Sequence, residues 1–570
     1  MEPRWVQRFP GRLEWELADF GRRGLCEFSL DQGEFARGRV VLLGETEWKG
    51  QSIPLRIVYP DLFPYFRPEV FASDLRLGRH QNPFEGNLCL LEAPTRAWRT
   101  VESAAWLVAE RVPFLLELIE RGGEEMTANE VPQGEPDSFY IAREHGTAVF
   151  VDEPMLAIPS EISGGTAYFS FGADRVGLDV HLLFRQANAW SKSGGGKAVA
   201  TANDRMRTRF SGLGIEGRWV RYGRTPGRDP RAYFEAAADV QPSLAAPRWQ
   251  RVGDGEVAIL GVVFPEEVQQ GVIADSWLFA VQWRSGGRSG IYLTKGERLA
   301  PEDLFARVPR LSGLATKSAA LFGLGSLGAP LALELGRAQL GDIRLLDYDV
   351  VEAGTIVRWP VGIPAVGSAK TAVIETTIKS HFPYTSCRSF SRHLGVAPAE
   401  ATGAENDFDL IHKMIDGTDL VIDASAEIAV QQILGDLANE ANLPQLYLWG
   451  TEGAYGGVVA RLVPGATGCW FCMQLAFEDG LIALPPREAT GTTQPRGCGM
   501  PTFTGENFNL LPIVAQAARV AASTLLDTLP IGDDVFVLSL RDGERAAAIP
   551  SWSSHALTAH PRCPHCSSAT

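Results

Sequence analysis

One segment constrains the fold of this chain more than any other: an apolar run followed by a glycine-rich turn. The run at 319–322 is followed by G-L-G-S-L-G at 323–328, after which the residues have helical character. In a strand–turn–helix context, glycines at Gly323, Gly325 and Gly328 allow a tight turn and let a phosphate approach the helix N-terminus. The pattern therefore predicts a nucleotide site. The alternative is a glycine turn that only lets the helix pack on a sheet.

Charged residues downstream of the turn distinguish ATP from a dinucleotide. Asp347 lies 24 positions after the first glycine, at the end of a second apolar run, where an acid can bind a ribose hydroxyl. Asp349, Arg358, Lys370 and Asp423 are predicted to gather around the same sheet edge. A dehydrogenase has no need for an arginine and a lysine there. Adenylation of a carboxylate does, because negative charge on the α-phosphate and pyrophosphate needs cations and Mg²⁺.

These motifs resemble the ubiquitin-activating enzyme superfamily, which includes the bacterial ThiF- and MoeB-type adenylyltransferases of thiamine and molybdopterin biosynthesis. The resemblance implies a Rossmann-like adenylation domain. In it, Asp347 would hold the ribose, Arg358 and Lys370 the phosphates of ATP, and Asp423 the Mg²⁺. Two positions depart from the family pattern: Thr355 stands where Asn is usual, and a tryptophan instead of a glutamine follows the arginine.

Four cysteines near the C-terminal end form two C-x-x-C pairs, Cys469 with Cys472 and Cys563 with Cys566. Two such pairs supply four thiolates, enough for a closed tetrahedral zinc site. The 91 positions between the pairs leave open two unrelated pairs or one redox motif. The resemblance favours structural Zn²⁺, because many bacterial members of the superfamily bind zinc through two such pairs.

A fifth cysteine, Cys498, lies between these pairs in the irregular segment Q-P-R-G-C-G-M-P-T. Activating enzymes keep a nucleophilic cysteine in such a loop, so the resemblance implies that Cys498 attacks the acyl adenylate and forms a thioester. The arginine two positions earlier would favour the thiolate. The alternative is a buried or incidental cysteine.

The N-terminal region carries another candidate nucleophile, Cys89. The order His80, Gln81, Asn82, Cys89 and Trp98, after a Tyr-Pro-rich stretch, resembles the ubiquitin-conjugating enzymes over residues 1–126, with glutamine replacing the usual proline after the histidine. The resemblance implies that Cys89 receives the acyl group as a thioester. The Asn82 amide would stabilise the oxyanion formed when an amine attacks. We expect His80 to support the loop; the alternative for Cys89 is a small buried hydrophobic residue.

The expected fold class is a multidomain α/β protein. We expect a ubiquitin-conjugating-like α+β domain at 1–126, a middle α+β linker domain without a recognisable motif at 127–311, and the adenylation domain at 312–570. With 53 basic and 68 acidic residues, the net charge of −15 argues against nucleic-acid binding. The N-terminus lacks the apolar region of a signal peptide, and no apolar run reaches the ~18 residues of a membrane span. We therefore expect a cytoplasmic protein.

The sequence thus predicts an enzyme that activates the C-terminus of a protein with ATP. The acyl group would pass from Cys498 to Cys89 and then to an amine of a target protein. The resemblance extends to fused activating and conjugating proteins of bacterial antiphage operons with cyclic-oligonucleotide signalling (CBASS). It implies a partner with a flexible C-terminal tail, either a nucleotidyltransferase or a ubiquitin-like protein, and a homodimer formed through the adenylation domain. Two alternatives remain: a sulfur-carrier adenylyltransferase of cofactor biosynthesis and a non-catalytic binding scaffold.

Overall fold

A computed structural model represents the chain and is described at residues 3–77, 80–91, 97–120, 136–141, 147–172, 180–191, 196–269, 271–396, 406–494, 502–543 and 545–566. The chain divides into two compact units. The first comprises Met1–Asn203 and Phe210–Leu299, and the second comprises Asp204–Arg209 and Ala300–Thr570. Within the described ranges, every helix is too short or too polar to span a lipid bilayer.

The N-terminal part of the first unit is an antiparallel sheet flanked by helices. Its strands run in the order β1–β2–β3–β4, with bounds Ser29–Leu30, Val41–Trp48, Gln51–Val58 and Glu69–Phe71. Its helices are Arg4–Arg8, Arg12–Arg22, Gln32–Ala36, Ala104–Trp106 and Val112–Glu120, the last two joined by a π-helical turn at Leu107–Arg111. Alternate apolar residues of the strands pack against these helices, as the two-residue period of a half-buried strand requires.

A buried carboxylate joins the helix Arg12–Arg22 to the start of the helix Ala104–Trp106. Glu16 is fully buried and accepts hydrogen bonds from the Tyr59 hydroxyl at 2.9 Å and from the backbone N–H of Ala104 at 2.8 Å. Burial raises the pKa of Glu16, although Arg12 lies beside it. The two ends of this domain are therefore tied by a satisfied polar network.

The rest of the first unit is dominated by β-structure. Its strands are β5 Thr147–Asp152, β6 Gly164–Phe171, β7 Val180–Asn188, β8 Ala198–Thr201, β9 Gly214–Arg221, β10 Gln250–Val252, β11 Gly255–Gln269, β12 Val272–Ser285 and β13 Arg288–Leu299. Short helices at Asp137–Ile141, Glu153–Leu156, Pro230–Val240 and Pro242–Ala245 accompany them.

Seven of these strands form a closed ring. Neighbouring strands pair in the order β11–β12–β13–β5–β7–β6–β9, and β9 pairs in turn with β11 in parallel, with Arg218 opposite Leu260. Buried aromatic side chains, including Trp219 and Trp277 with ring centroids 5.8 Å apart, contribute to the core. The middle of the chain is thus a β-barrel-like domain, and its closure depends on pairings between residues far apart in sequence.

The second unit is built on an eight-stranded sheet in the order β16–β15–β14–β17–β18–β19–β22–β23. Pairing is parallel from β16 to β18 and antiparallel from β18 onwards. The strand bounds are β14 Ser318–Phe322, β15 Asp342–Asp347, β16 Ser386–Ser391, β17 Leu420–Asp423, β18 Gln445–Gly450, β19 Gly456–Leu462, β22 Val535–Asp542 and β23 Arg545–His555. Separately, β20 Thr492–Thr493 pairs antiparallel with β21 Thr502–Phe503.

Helices accompany the sheet in the alternation expected of an α/β fold. The α-helices are Asp204–Arg209, Pro301–Phe305, Gly328–Arg337, Lys370–His381, Asp407–Ile415, Ile428–Glu440, Trp470–Glu478 and Asn507–Leu525, with 3₁₀ turns at Pro309–Thr316, Ile363–Ala365 and Glu452–Ala454. The apolar run at 319–322 lies in β14, and the apolar run that ends at Asp347 is β15. The parallel strands β14, β15 and β17 therefore bring the predicted nucleotide-binding residues to one edge.

Candidate active site

The glycine turn after β14 is tight on its protein side and open on the other. Gly323 has a φ of +89°, and a Cβ there would lie 2.6 Å from the backbone nitrogen of Ser425. A Cβ on Gly328 would lie 1.9 Å from the carbonyl oxygen of Gly323, so both positions require glycine. A Cβ on Gly325 would meet no neighbouring atom within 4 Å in the described part of the chain. Its open side leaves room for a phosphate at the start of the helix.

Asp347, at the end of β15, organises this turn. Its Oδ2 accepts a hydrogen bond from the backbone N–H of Leu324 at 2.5 Å, and its Oδ1 accepts one from the backbone N–H of Asp349 at 2.7 Å. Each carboxylate oxygen has a second lone pair, so the side chain retains capacity to accept from a ribose hydroxyl. The predicted ribose ligand therefore also holds the glycine turn in place.

Lys370 is held beside the turn by Asp349. Its Nζ donates to Oδ2 of Asp349 at 2.8 Å, and its backbone N–H donates to the carbonyl oxygen of the same residue at 2.9 Å. Lys370 is buried, and it begins the helix Lys370–His381. The carboxylate compensates the buried ammonium group and keeps it at the carboxyl edge of the sheet.

Arg358 and the tryptophan after it are anchored by carbonyl groups. The Nη1 of Arg358 donates to the carbonyl oxygen of Phe503 at 2.7 Å, and its guanidinium lies 4.8 Å from the centroid of that ring. Burial lowers the pKa of Arg358. The indole nitrogen of Trp359 donates to the carbonyl oxygen of Leu324, in the glycine turn, at 2.9 Å. The Thr355 hydroxyl instead donates to the carbonyl oxygen of Glu352, three residues earlier in the chain. The tryptophan, not the threonine, therefore contacts the glycine turn.

Asp423 closes this group of side chains at the end of β17. It is 1% exposed, and its Oδ1 accepts from the Ser425 hydroxyl at 2.7 Å. Its Oδ2 is buried, and no donor of the described residues lies within 3.5 Å of it in hydrogen-bond geometry. Burial raises the pKa of Asp423 to about 6, although the nearby Gln431 side chain acts to lower the pKa of the carboxyl group. A divalent cation would satisfy this oxygen and favour the ionised carboxylate, so the residue fits the predicted Mg²⁺ ligand.

The structure brings the four C-x-x-C cysteines together. The sulfur atoms of Cys469, Cys472, Cys563 and Cys566 all lie within 4.8 Å of one another, with Cys469 and Cys563 at 3.5 Å. A tetrahedral zinc–thiolate centre with Zn–S bonds of about 2.3 Å has sulfur atoms ~3.8 Å apart, so the cluster fits Zn²⁺. The backbone N–H of His560 donates to the Cys472 sulfur at 3.2 Å, as expected of a supporting group around a thiolate.

Comparison with known proteins finds a relative that aligns with nearly the whole chain. "Uncharacterized protein y4oA" of Sinorhizobium fredii (strain NBRC 101917 / NGR234) is 30% identical, and the alignment covers 98% of this chain and 97% of that protein. The chain belongs to the y4oA family. Within this y4oA-family chain, residues 303–538 match the model of the ThiF family. That region is a ThiF-type adenylation domain.

Two further relatives match parts of the y4oA-family chain. "Ubiquitin-like modifier-activating enzyme 5" of Oryza sativa subsp. japonica is 28% identical over 27% of this chain and 37% of that protein. "Sulfur carrier protein ThiS adenylyltransferase" of Bacillus subtilis (strain 168) is 27% identical over 32% of this chain and 52% of that protein. Because each alignment covers only part of this chain, the substrates of these two relatives are not assigned to it.

In the N-terminal domain of the y4oA-family chain, Cys89 has an exposed side chain. Its backbone N–H donates to the carbonyl oxygen of His80 at 2.8 Å. Asn82 is buried, and its Oδ1 accepts from the backbone N–H groups of Phe84 and Glu85 at 3.0 and 3.1 Å. The asparagine oxygen therefore holds the turn before Cys89, and its oxyanion role stays a prediction. The other predicted nucleophile, Cys498, lies outside the described residues.

The sequence did not predict two residues beside these side chains, Ser425 and His393. Ser425 supports Asp423, and the imidazole of His393 stacks on the Tyr348 ring with centroids 3.8 Å apart. His393 lies two positions after β16, the strand beside β15. Strand order could have predicted this placement, because the ends of adjacent parallel strands lie together. Motif spacing alone does not contain that information.

Proposed function

We propose that this protein uses ATP to adenylate the C-terminal carboxylate of a peptide or protein. The observation that carries the proposal is the buried Oδ2 of Asp423, which has no hydrogen bond within 3.5 Å among the described residues. Asp423 pairs in register with Phe322, the residue just before the glycine turn. A cation-binding carboxylate next to an open turn at a helix N-terminus suits a nucleotide phosphate and its metal ion.

In the proposed reaction, an oxygen of the substrate carboxylate attacks the α-phosphorus of ATP. The bond from that phosphorus to the bridging oxygen of the β-phosphate breaks, and pyrophosphate leaves with the electron pair. Lys370 and Arg358 would neutralise charge on the phosphates, and Asp347 would accept from a ribose hydroxyl. Mg²⁺ held by Asp423 would supply further neutralisation of the phosphate charge.

Exchange of radiolabelled pyrophosphate into ATP tests this step. The full-length chain is mixed with ATP, Mg²⁺ and candidate tailed proteins encoded next to its gene, and Asp423→Asn is compared with Asp416→Asn. Asp416 is exposed and lies before the same strand, so it is a matched acidic control. We expect exchange by the wild type and Asp416→Asn, and its loss in Asp423→Asn. Equal exchange by both variants would contradict the assignment of Asp423.

We further propose that the acyl group travels through two thioesters. The thiolate of Cys498 would attack the carbonyl carbon of the acyl adenylate and release AMP, and the thiolate of Cys89 would then displace that of Cys498. An amine of a target protein would attack the second thioester, and Cys89 would leave as a thiolate while the amine loses a proton to solvent. The exposed side chain of Cys89 supports this order, because an acceptor thiol must be reachable by a second protein.

Non-reducing electrophoresis after incubation with ATP and a candidate partner tests the relay. Adducts that dithiothreitol removes should disappear in Cys498→Ala. In Cys89→Ala, a Cys498 adduct should persist while the amine-linked product is lost. Cys26→Ala, which removes another exposed thiol of the N-terminal region, should behave as the wild type. Unchanged amine-linked product in Cys89→Ala would contradict the relay through Cys89, whereas adenylation without any amine-linked product in the wild type would support a sulfur-carrier adenylyltransferase.

The proposed partner is a nucleotidyltransferase or a ubiquitin-like protein with a flexible C-terminal tail, and the proposed setting is cytoplasmic antiviral defence of the CBASS type. We also propose a homodimer through the adenylation domain. We place the contact at Val357 and Ile363, two apolar side chains of this domain that are 75% and 76% exposed. Light scattering should find twice the monomer mass, and a monomer in Val357→Asp would locate the contact.

A further inference from the structure

One arginine of the middle domain contacts the turn that precedes Cys89. Arg228 donates from Nη1 and Nη2 to Oε1 of Glu85, each at 3.3 Å, and its guanidinium lies 4.6 Å from the centroid of the Phe84 ring. The same group donates from Nη2 to the carbonyl oxygen of Tyr140 at 3.1 Å. These residues belong to one compact unit. Two domains that sequence reasoning treats separately therefore meet through this side chain.

The backbone that carries Arg228 is anchored on both sides. Before it, Gly227 adopts a φ of +96°, and its carbonyl oxygen accepts from the hydroxyl of the buried Tyr233 at 3.1 Å. After it, Asp229 caps the helix Pro230–Val240 by accepting from the backbone N–H of Arg231 at 2.9 Å. The guanidinium thus projects from a defined point of the middle domain.

Hydrogen bonds within the hairpin connect the turn that Arg228 contacts to the backbone of Cys89. Asn82 fixes the backbone of the two contacted residues through its side-chain oxygen, as described above. Further along the hairpin, Gln81 pairs with Leu88, and the N–H of Cys89 donates to the carbonyl oxygen of His80. A shift at the tip of this hairpin would therefore reach the backbone of Cys89.

We infer that Arg228 is a positioning residue for the thiol of Cys89, and that the middle domain contributes to acyl transfer by holding this hairpin. The inference rests on the proposed relay through Cys89. A half-exposed ion pair alone contributes little to stability. Here one planar guanidinium combines an ion pair, a ring contact and a carbonyl contact on a single short turn, which a lysine cannot reproduce.

Amide hydrogen exchange of the full-length chain tests, without a partner protein, whether Arg228 holds this hairpin. Arg228→Ala is compared with Arg231→Ala, which removes an exposed arginine three positions further along the chain. We expect amides of residues 84–89 to exchange roughly three- to tenfold faster in Arg228→Ala, the range expected for losing one ion pair and one cation–π contact. Arg231→Ala should match the wild type. Equal protection in the two variants would overturn the inference.

Two further measurements separate positioning from general loosening. Site-resolved alkylation by iodoacetamide should be faster at Cys89 in Arg228→Ala and unchanged at Cys26. Exchanging the charges, Arg228→Glu with Glu85→Arg, should restore part of the wild-type alkylation rate, whereas failure to restore any of it would count against the contact with Glu85. In the relay assay, Arg228→Ala should lower the rate of amine transfer and leave pyrophosphate exchange intact. Faster amide exchange in Arg228→Ala, together with unchanged amine-linked product in Cys89→Ala, would overturn the relay but leave the contact of Arg228 with the hairpin intact.

Discussion

The ammonium group of Lys370 lies 2.8 Å from Oδ2 of Asp349, and the two residues also share a backbone hydrogen bond. The side chain of the lysine is 10% exposed and that of the aspartate is 47% exposed. The positive charge is therefore fixed at the sheet edge by a partner that faces solvent. A nucleotide that approaches this edge meets a cation that has already been oriented, which lowers the reorganisation needed during the reaction.

Replacing this lysine should impair catalysis more than folding. In Lys370→Ala, the aspartate left behind is half-exposed and stays hydrated, so we expect a small change in the free energy of unfolding. Pyrophosphate exchange should fall by roughly 10²–10³-fold, the cost of removing one preorganised group that stabilises the transition state. Lys379→Ala removes a surface lysine of the same helix and should retain exchange. Comparable losses in both variants would contradict this role.

Two glycines of the turn should respond differently to alanine. At Gly328 the new Cβ would collide with a carbonyl oxygen, so Gly328→Ala should destabilise the adenylation domain, as overpacking does, by about 1–3 kcal/mol. At Gly325 the new Cβ meets open space, so Gly325→Ala should unfold like the wild type in urea. Calorimetric titration with ATP should nevertheless show weaker binding by Gly325→Ala, because its methyl group occupies the side open to phosphate. Unaltered ATP binding would place the nucleotide elsewhere.

A buried ion pair supports the antiparallel half of the C-terminal sheet. Arg461 on β19 is 2% exposed, and its Nη2 donates to Oδ1 of Asp534 at 2.9 Å. Asp534→Ala would leave a buried guanidinium without its counter-charge, so urea unfolding should show a loss of about 3–5 kcal/mol. The exposed pair of Arg337 and Glu334 is the comparison: Glu334→Ala should cost no more than about 1 kcal/mol.

Metal analysis should find about one Zn²⁺ per chain, as a closed four-thiolate site requires. In Cys563→Ser the zinc content should fall well below that value, and the melting temperature should drop by roughly 5–10 °C, because a structural metal stabilises the folded state. Phenanthroline should reproduce the drop in the wild type. Cys26→Ser should keep its zinc. Wild-type protein prepared with zinc present but containing none would refute the site.

The parallel half of the adenylation domain could be predicted because buried strands appear as continuous apolar runs. The run before Gly323 is β14 and the run that ends at Asp347 is β15, so Gly323 and Asp347 lie at the same edge of the sheet. The stacked ring of His393 could not be predicted in the same way. It follows β16, whose position depends on strand order and not on local pattern.

Other features depend on contacts between distant residues. The two cysteine pairs meet because the antiparallel strands β19, β22 and β23 return the chain to the start of the helix Trp470–Glu478. The strands of the middle domain close into a ring through the register of β9 with β11. Spacing alone could not predict either assembly, because several pairings and registers of such strands satisfy the same apolar pattern.

Helix irregularity was partly predictable. Pro113 has no N–H group to donate and its ring clashes with a preceding carbonyl group, so the sequence predicts a kink or two helices there. The structure has a π-helical turn at Leu107–Arg111, and the backbone N–H of Val112 donates to the carbonyl oxygen of Leu107. The irregularity thus lies just before the proline, in the turn whose carbonyl groups the proline ring would otherwise meet.

The closed ring of the middle domain has a consequence for how the chain is made. Its strand β5 pairs with β13, where Val149 lies opposite Gly296, 147 positions later. At translation rates of about 5–20 residues per second, β5 waits roughly 7–30 s for this neighbour. Cys89 is likewise synthesised 139 positions before Arg228, which contacts its hairpin. On the ribosome, the proposed transfer cysteine is therefore made well before the domain that holds it can close.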